Sequence, residues 1–384
     1  MGRLRDIDCN RRVRLDGGWQ VAAAPAGSGL EEVDALAWIP AQVPGTAASA
    51  LRAAGAWSWD QQRSFDGEDF WWRVRIEGGD VPISGPAVLG LDGLATLADV
   101  WLDRRHVLAS DNMYLAHEVA LTLDGTQELL IRCRALAPEL AARRPRPRWR
   151  VPMIEHQQLR WFRTSLLGRT PGWSPPCPAV GPWRPVWLER RRLQARDLQL
   201  DARVVDGAGV VEVSLDLGQD VDAATLVVVR GERREHARLS KQEGVWRGRA
   251  TVQAPDLWWP HTHGEPALYT LGIVATVDGN DVDIALGNTG FRTIEIDREG
   301  GDFQISVNGV PVFCRGACWT PLDVVSLDAS PEACDAAIAQ ARGAGMNMLR
   351  VGGTMVYESD AFHDAMDRHG MLLWQELMFA NMDY

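Results

Sequence analysis

The sequence has few cysteines, few tyrosines and phenylalanines, no long apolar run and no excess of positive charge. None of the 384 positions begins a run of about 18 apolar residues, so no membrane-spanning helix is predicted. The formal net charge is −11, and a chain without a general positive field is a poor binder of nucleic acid. The first ten residues, MGRLRDIDCN, lack the apolar stretch of a secretory signal. We therefore expect a cytoplasmic protein with no membrane or nucleic-acid partner.

Cysteine is scarce and dispersed, which excludes a disulfide scaffold. The six residues are Cys9, Cys133, Cys177, Cys314, Cys318 and Cys334. Such a low density in a long chain predicts reduced thiols. Cys314 and Cys318 stand four residues apart, but no second Cys or His pair follows at the spacing of a zinc site. The sequence predicts neither a metal nor another cofactor.

Tryptophan is abundant, with 17 residues against 8 phenylalanines and 4 tyrosines. Hydrophobic residues make up 46% and charged residues 24% of the chain, which is typical of globular proteins. A length of 384 residues favours two or three domains. The tryptophans indicate either extensive core packing or a site that uses wide, flat rings.

Three types of pattern follow one another along the chain. Residues 15–189 alternate short apolar strands with Gly, Pro and Asp turns, and residues 198–296 repeat strands at roughly ten-residue spacing; both patterns predict β-sandwiches. After Asp302 a hairpin around Asn308-Gly309 is followed by a strand-helix-strand-helix-strand pattern. Ser330 is predicted to cap the first of these helices. The chain therefore combines two β domains with the start of a parallel α/β unit.

A long interruption separates Leu140 from Pro185 and contains the basic run RRPRPRWR, Arg143 to Arg150. Prolines exclude an interior helix or central strand here, so a long ordered loop is predicted. The basic run has two interpretations: a solvated spacer, or a cationic groove for an acidic polysaccharide with Trp149 interleaved. His261 and His263, beside Trp258-Trp259, have no further metal ligands nearby, and we assign them to a domain interface.

Several motifs resemble glycoside hydrolase family 2, and its β-mannosidase branch in particular. The segment Gly290 to Asp323 resembles the junction between the family's immunoglobulin-like domain and its catalytic (β/α)8 barrel. Within the branch, the similar motifs are LWWP at residues 257–260, YESDAF at 357–362 and WQELMF at 374–379. Further upstream, residues 89–103 are similar to the family's sugar-binding jelly roll.

The resemblance implies a jelly-roll sugar-binding-like domain at residues 1–192 and an immunoglobulin-like β-sandwich at 193–298. Residues 299–384 are then the truncated start of a (β/α)8 TIM barrel, with its first three βα units. From Phe303 to the end there are 82 residues, whereas a complete barrel needs about 250. We therefore expect a C-terminal barrel portion on a second chain or in a continuing reading frame.

The implied activity is that of a retaining, exo-acting β-glycoside hydrolase, β-mannosidase-like, on terminal β-linked sugars of oligosaccharides. Its acid/base and nucleophile would be glutamates ending the fourth and seventh barrel strands, so no catalytic residue is expected within this chain. The alternatives are a non-catalytic carbohydrate-binding or scaffold protein, and a β-glucuronidase, β-galactosidase or exo-glucosaminidase relative.

The resemblance also implies which residues bind substrate. They are Trp319, Asp323, Arg350, Trp374 and Glu376. Arg350 matches an arginine that points into the sugar site, and Trp374 is a candidate stacking ring. Two positions depart from the β-mannosidase pattern: Gly352 stands where a tryptophan is usual, and Ser174 where an aspartate would bind a sugar hydroxyl.

Overall fold

The computed structural model describes residues 4–77, 85–218 and 220–383. Its strands in chain order are β1 (Asp6–Ile7), β2 (Arg11–Arg14), β3 (Gln20–Pro25), β4 (Ile39–Pro40), β5 (Glu68–Ile76), β6 (Gly85–Leu91), β7 (Ala98–Leu102), β8 (Arg105–Ser110), β9 (His117–Leu123), β10 (Gln127–Cys133), β11 (Val186–Arg190), β12 (Arg196–Val205), β13 (Ala208–Asp216), β14 (Val221–Arg230), β15 (Arg233–Arg238), β16 (Ser240–Gln242), β17 (Val245–Val252), β18 (Tyr269–Val277), β19 (Asn280–Thr289), β20 (Ile294–Asp297), β21 (Gln304–Val307), β22 (Val310–Val312), β23 (Gly316–Trp319), β24 (Met348–Val351) and β25 (Leu372–Gln375). The α-helices are α1 (Ala47–Ala53), α2 (Ala137–Ala141), α3 (Pro331–Gly343) and α4 (Asp360–Arg368). Within the described ranges, no helix has the length and apolar character needed to cross a membrane.

The first β unit is a sandwich of two antiparallel sheets, in the orders β4-β3-β5-β10-β7-β8 and β2-β11-β6-β9. Its central strand β5 carries a continuous apolar run because both of its faces are covered. Trp72 lies in the main core, and Trp71 packs beside Val33 in a separate cluster. Neither indole is exposed to solvent. Tryptophans of this unit therefore serve mainly as core residues, one of the two roles that the composition allowed.

The second β unit pairs the sheet β1-β19-β18-β14-β15 with the sheet β12-β13-β17-β16. Leu226, Tyr269 and Phe291 are fully buried in its core. Its edge strand β1 comes from the amino-terminal segment, which lies inside the predicted first domain, and pairs Asp6 with Ala285. The predicted domain boundaries otherwise stay predictions.

The third unit begins with the antiparallel sheet β20-β21-β22 and continues with the parallel sheet β23-β24-β25. Asn308 and Gly309 both have positive φ, 51° and 76°, as a type I′ hairpin requires, which confirms the predicted turn. Ser330 Oγ accepts a hydrogen bond from Ala333 N over 3.1 Å, and α3 begins at the next residue as predicted. These three parallel strands agree with the predicted βαβαβ pattern; a closed barrel stays a prediction.

A tryptophan-rich turn joins the second β unit to the third. Trp258 Nε1 donates to Asp367 O over 3.0 Å, and His261 Nε2 lies 2.8 Å from Met346 O. His261 N also donates to Gly370 O over 2.9 Å. The interface role predicted for His261 is confirmed, whereas His263 is exposed and bonds Thr262 within the same turn.

Candidate functional site

The candidate site lies at the carboxyl ends of the parallel strands β23, β24 and β25. Their register places Cys318 beside Arg350, and Arg350 beside Trp374. Paired residues of neighbouring strands point to the same face, so these three side chains share one face of the sheet. Ligand sites of parallel sheets form at this end of the strands. The structure thus brings together two of the predicted residues, Arg350 and Trp374.

Glu376 follows β25 and is held by two groups from the neighbouring strand and its loop. Arg350 Nε donates to Glu376 Oε1 over 2.8 Å, and Arg350 Nη2 donates to the same oxygen. Gly353 N donates to Oε2 over 2.8 Å. The Gly353 N–H, and then the Arg350 guanidinium, hold the pKa of Glu376 below its usual value. The carboxylate is therefore a fixed hydrogen-bond acceptor, the opposite of an acid tuned to donate a proton.

Arg350 and Trp374 remain open to solvent beside this carboxylate. The Arg350 side chain is 46% exposed, and its Nη1 lies 3.3 Å from the Cys318 sulfur, a weak acceptor. Trp374 is 40% exposed, and its ring centroid is 5.7 Å from that of Phe303. A flat ring beside fixed donors and acceptors suits recognition of a polyhydroxylated ligand. In the described part of the chain, no group of three or more His, Cys, Asp and Glu residues is placed to hold a metal ion.

Trp319 lies on the opposite face of the sheet, which α3 and α4 cover. Its register partner is the fully buried Val351. The Trp319 ring packs on Phe362 with centroids 4.9 Å apart, and Nε1 donates to Glu358 Oε1 over 2.8 Å. The structure does not bring Trp319 together with Arg350 and Glu376, and its role in substrate binding stays a prediction.

Asp323 uses its carboxylate to close its own loop. Oδ1 accepts from Val325 N and Oδ2 from Ser326 Oγ, both over 2.8 Å. Arg52, on α1 of the first β unit, lies 3.6 Å from Oδ2. These contacts give Asp323 a structural function, and its predicted contact with substrate is untested.

Glu358 is a buried carboxyl that the sequence interpretation passed over. Burial raises its pKa, against the opposing effects of the Trp319 hydrogen bond and of Arg184. Arg184, from the first β unit, donates to Tyr357 O over 2.5 Å. The only sequence signal for Glu358 was its place in the motif YESDAF, which served as a family marker.

The first β unit also holds the loops that follow the parallel strands. Ser165 Oγ donates to Met355 O over 2.8 Å, and Arg163 Nη1 donates to Met378 O over 3.1 Å. Thr46 Oγ1 donates to Val325 O over 2.6 Å. These positioning contacts were missed because the residues belong to no recognisable motif and lie far away in sequence.

The two departures from the β-mannosidase pattern have different structural settings. A Cβ at Gly352 would meet nothing within 4 Å, whereas one at Gly353 would lie 2.7 Å from Leu377 O and 3.2 Å from Glu376 Oε2. The missing side chain at Gly352 therefore leaves open space beside the site. Ser174 Oγ accepts from Gly168 N over 2.8 Å, so it closes its own loop.

Two family models match most of the chain. The model described as "Glycosyl hydrolase 2 galactose-binding domain-like" matches residues 19–184, which include the first β-sandwich except for β2 and β11. The model "Glycosyl hydrolases family 2" matches residues 188–292, which begin in β11 and cover β12 to β19 of the second sandwich. The chain belongs to glycoside hydrolase family 2. Its curated relatives indicate the β-mannosidase-like branch of that family.

These family 2 relatives include Beta-mannosidase B of Aspergillus terreus, which is 31% identical over 379 residues. That alignment covers 92% of this chain and 45% of the relative. Beta-mannosidase B of Aspergillus clavatus is 30% identical over 323 residues, covering 79% of this chain and 38% of the relative. The chain spans less than half the length of the curated relatives that it matches.

Solved structures of other glycosidases share the fold. A β-D-mannosidase from Dictyoglomus thermophilum superposes with a TM-score of 0.81 at 24% identity, covering 96% of this chain and 47% of that one. The apo β-glucuronidase 3 of Bacteroides uniformis gives a TM-score of 0.68 at 17% identity, covering 97% and 46%. At these identities the similarity shows the common fold and leaves substrate unassigned.

Proposed function

We propose that this chain comprises the accessory domains and the first three barrel strands of a retaining, exo-acting β-glycoside hydrolase that removes terminal β-linked sugars from oligosaccharides. The observation that carries the proposal is the Arg350–Glu376 pair beside Trp374, at the carboxyl ends of parallel strands. These residues would bind one sugar, with Trp374 against its C–H face and Glu376 accepting from a hydroxyl. Arg350 would keep that carboxylate in place.

The proposed catalysts are two carboxyl groups about 5–5.5 Å apart, one an acid/base and the other a nucleophile. Glu376 is not the acid/base in this proposal, because its hydrogen bonds favour the ionised form. It is not the nucleophile either, because the family resemblance places that glutamate at the end of the seventh barrel strand, whereas Glu376 follows the third parallel strand. Both catalytic groups would come from further strands of a (β/α)8 barrel outside the 384 residues, in a continuing frame or on a second chain.

An open apolar surface supports the missing-barrel proposal. Phe313 is 81% exposed and Leu377 63% exposed, and Phe303 and Phe379 are about half exposed, at 46% and 49%. Phe303 contacts the exposed Trp374 of β25, and large apolar side chains that are exposed close together mark a surface that another element covers. Further parallel strands would cover this surface and pair with the free edges of β23 and β25.

β-Mannosides are the proposed substrates because the curated relatives are named Beta-mannosidase B. The open space at Gly352 favours one alternative, a family 2 enzyme for a differently substituted sugar such as a β-glucuronide. A third possibility is a non-catalytic carbohydrate-binding protein, which the assay below separates from both enzymes.

The test compares the 384-residue chain with a protein extended by the downstream reading frame. We expect the shorter chain to leave aryl β-mannoside unhydrolysed, and the longer one to hydrolyse it in preference to aryl β-glucuronide. A stop followed by an unrelated gene, with no turnover from a mixture with any neighbouring gene product, would favour the non-catalytic protein. Turnover by the short chain that Glu376→Gln abolishes would overturn the role assigned to Glu376.

A further inference from the structure

The basic run between Arg143 and Arg150 forms a surface that neither sequence interpretation described fully. Of its five arginines, two bind carboxylates of this chain, and the other three are exposed without such a partner among the described residues. Arg144 Nη2 donates to Glu139 Oε2 over 2.6 Å, and Arg148 donates through its backbone N to Asp383 Oδ2, also over 2.6 Å. The loop is thus tied at two points and is not a free spacer.

The anchor at Arg148 crosses between units of the fold. Asp383 is fully buried and also accepts from Arg148 Nε over 2.5 Å. Arg160, which is itself fully buried, donates to Asn381 O over 2.6 Å and to Trp149 O. Because residues 381–383 closely follow Glu376, these contacts hold the basic loop against the loop that leaves the candidate sugar site.

The other three arginines point into solvent. Arg143, Arg146 and Arg150 are exposed, and among the described residues none of them makes an ion pair within 4.0 Å. All three lie within eight consecutive residues of a proline-rich loop, which bends at Arg148 and Trp149. Arg143, Arg146 and Arg150 thus present guanidinium groups that no carboxylate of the described residues neutralises.

The same loop carries an exposed aromatic ring, Trp149, next to Arg150. Trp149 is 46% exposed, with the Arg160 guanidinium 4.5 Å from its ring centroid and that of Arg148 at 5.3 Å. Two residues after Trp149, the backbone of Val151 is also fixed: Gln157 Nε2 donates to Val151 O over 2.9 Å, and Gln157 Oε1 accepts from Val151 N. The ring is therefore held by contacts of its own loop rather than left on a mobile tail.

We propose that Arg143, Arg146, Trp149 and Arg150 bind an acidic polysaccharide, that is, a chain of uronic acid residues. Guanidinium groups bind carboxylates in two-pronged pairs, and an indole offers a face to a pyranose ring. The cationic surface is local, whereas the whole chain carries −11. A short oligouronate can stay within the patch, while an extended nucleic acid would meet the negative remainder.

This binding surface goes beyond hydrolysis and does not depend on it. The surface would hold an anionic glycan next to the loop after β25. It can therefore be tested on the chain alone, without turnover.

The experiment measures binding of an oligogalacturonate to the full 384-residue chain by calorimetry, at about 50 and about 300 mM NaCl. The test variant is Arg143→Gln/Arg146→Gln/Arg150→Gln. The control is Arg234→Gln/Arg238→Gln/Arg247→Gln, which removes the same charge from exposed positions of the second β unit. Thermal unfolding of each variant checks its folding.

We expect the test variant to bind at least about tenfold more weakly and the control within about twofold of wild type. Trp149→Ala should weaken binding several-fold, and added salt should weaken wild-type binding. Equal losses in both triple variants, or equally tight binding of a neutral mannan oligomer, would overturn the proposal. So would tighter binding, through the same arginines, to a single-stranded oligonucleotide or to phosphatidylserine vesicles.

Discussion

The two faces of the parallel sheet β23-β24-β25 carry alternate residues of the same strands and have opposite surroundings. On one face, Leu349 and Val351 pack with Ile338 and Phe362, all at most 3% exposed. On the other face, Arg350 and Trp374 are exposed. One face therefore supplies stability, and the other carries the side chains suited to a ligand.

The difference arises from what covers each face. Helices α3 and α4 bury the first face, and this burial removes apolar surface from water. On the second face, Leu372 and Met348 pack with Trp258 and with residues of the hairpin sheet, whereas the carboxyl ends of the strands, at Arg350 and Trp374, are exposed. Four comparisons between matched positions test this interpretation.

The largest expected effect is on the covered face. Phe362→Ala should lower the free energy of unfolding by about 3–5 kcal/mol, because it opens a cavity beside Trp319. The matched change on the open face, Trp374→Ala, should cost at most about 1 kcal/mol. Urea unfolding of the full chain gives both values, and similar losses would contradict the assignment of the two faces.

Neighbouring glycines allow a second comparison. Gly353→Ala should cost about 1–3 kcal/mol, because the added methyl meets Leu377 O and the Glu376 carboxylate. Gly352→Ala, whose Cβ meets nothing within 4 Å, should be neutral. Urea unfolding curves give the free energy of unfolding of both variants. An equal loss in the two would show that Gly352 is also needed for packing.

Glu376 and Glu358 should make stability depend on pH in opposite directions. The folded pKa of Glu376 is lowered, so its contribution is present above the unfolded pKa and is lost as pH falls through the folded value. The folded pKa of Glu358 is raised, so the folded state gains stability as pH falls through that value towards the unfolded pKa.

The corresponding variants are Glu376→Gln and Glu358→Gln. We expect Glu376→Gln to flatten the decline in thermal midpoint on the acid side, an effect of at most about 1 kcal/mol. Glu358→Gln should remove the gain that wild type shows on moderate acidification. Midpoints recorded from about pH 3 to about pH 7 test both; slopes of the same sign for the two glutamates would contradict the prediction.

The smallest effect is expected at Phe313, which is 81% exposed. Phe313→Ser should change the free energy of unfolding by less than about 0.5 kcal/mol while reducing the binding of a hydrophobic dye. Its neighbour Val312 is only 5% exposed, and Val312→Ser should clearly destabilise the chain. Unchanged dye binding in Phe313→Ser would show that this residue is not part of the open apolar surface.

Local signals in the third unit were predictable. The Asn308-Gly309 turn and the Ser330 cap depend on the backbone preferences of a few adjacent residues, which tertiary contacts did not override. Arg350 and Trp374 lie in neighbouring parallel strands, as the strand pattern predicted; their contact with substrate stays a prediction.

The placement of Trp319 was not predictable. In a strand, adjacent residues point to opposite faces, so Cys318 and Trp319 differ in surroundings although they are neighbours. The segment FCRGACW has no alternation that shows which residues face the helices. Only the pairing of Trp319 with Val351 revealed that its ring belongs to the covered face.

The sequence by itself determined the order of the units, the strand and helix patterns, the family and the local turns, because these depend on residues close together in the chain. The tertiary structure decided which side of each strand is covered, and hence that Glu376 is held by Arg350 and Gly353. It also decided that Arg148 is bound to Asp383, 235 residues away. Contacts over such separations leave no local pattern, since burial and ion pairing arise only when distant segments pack.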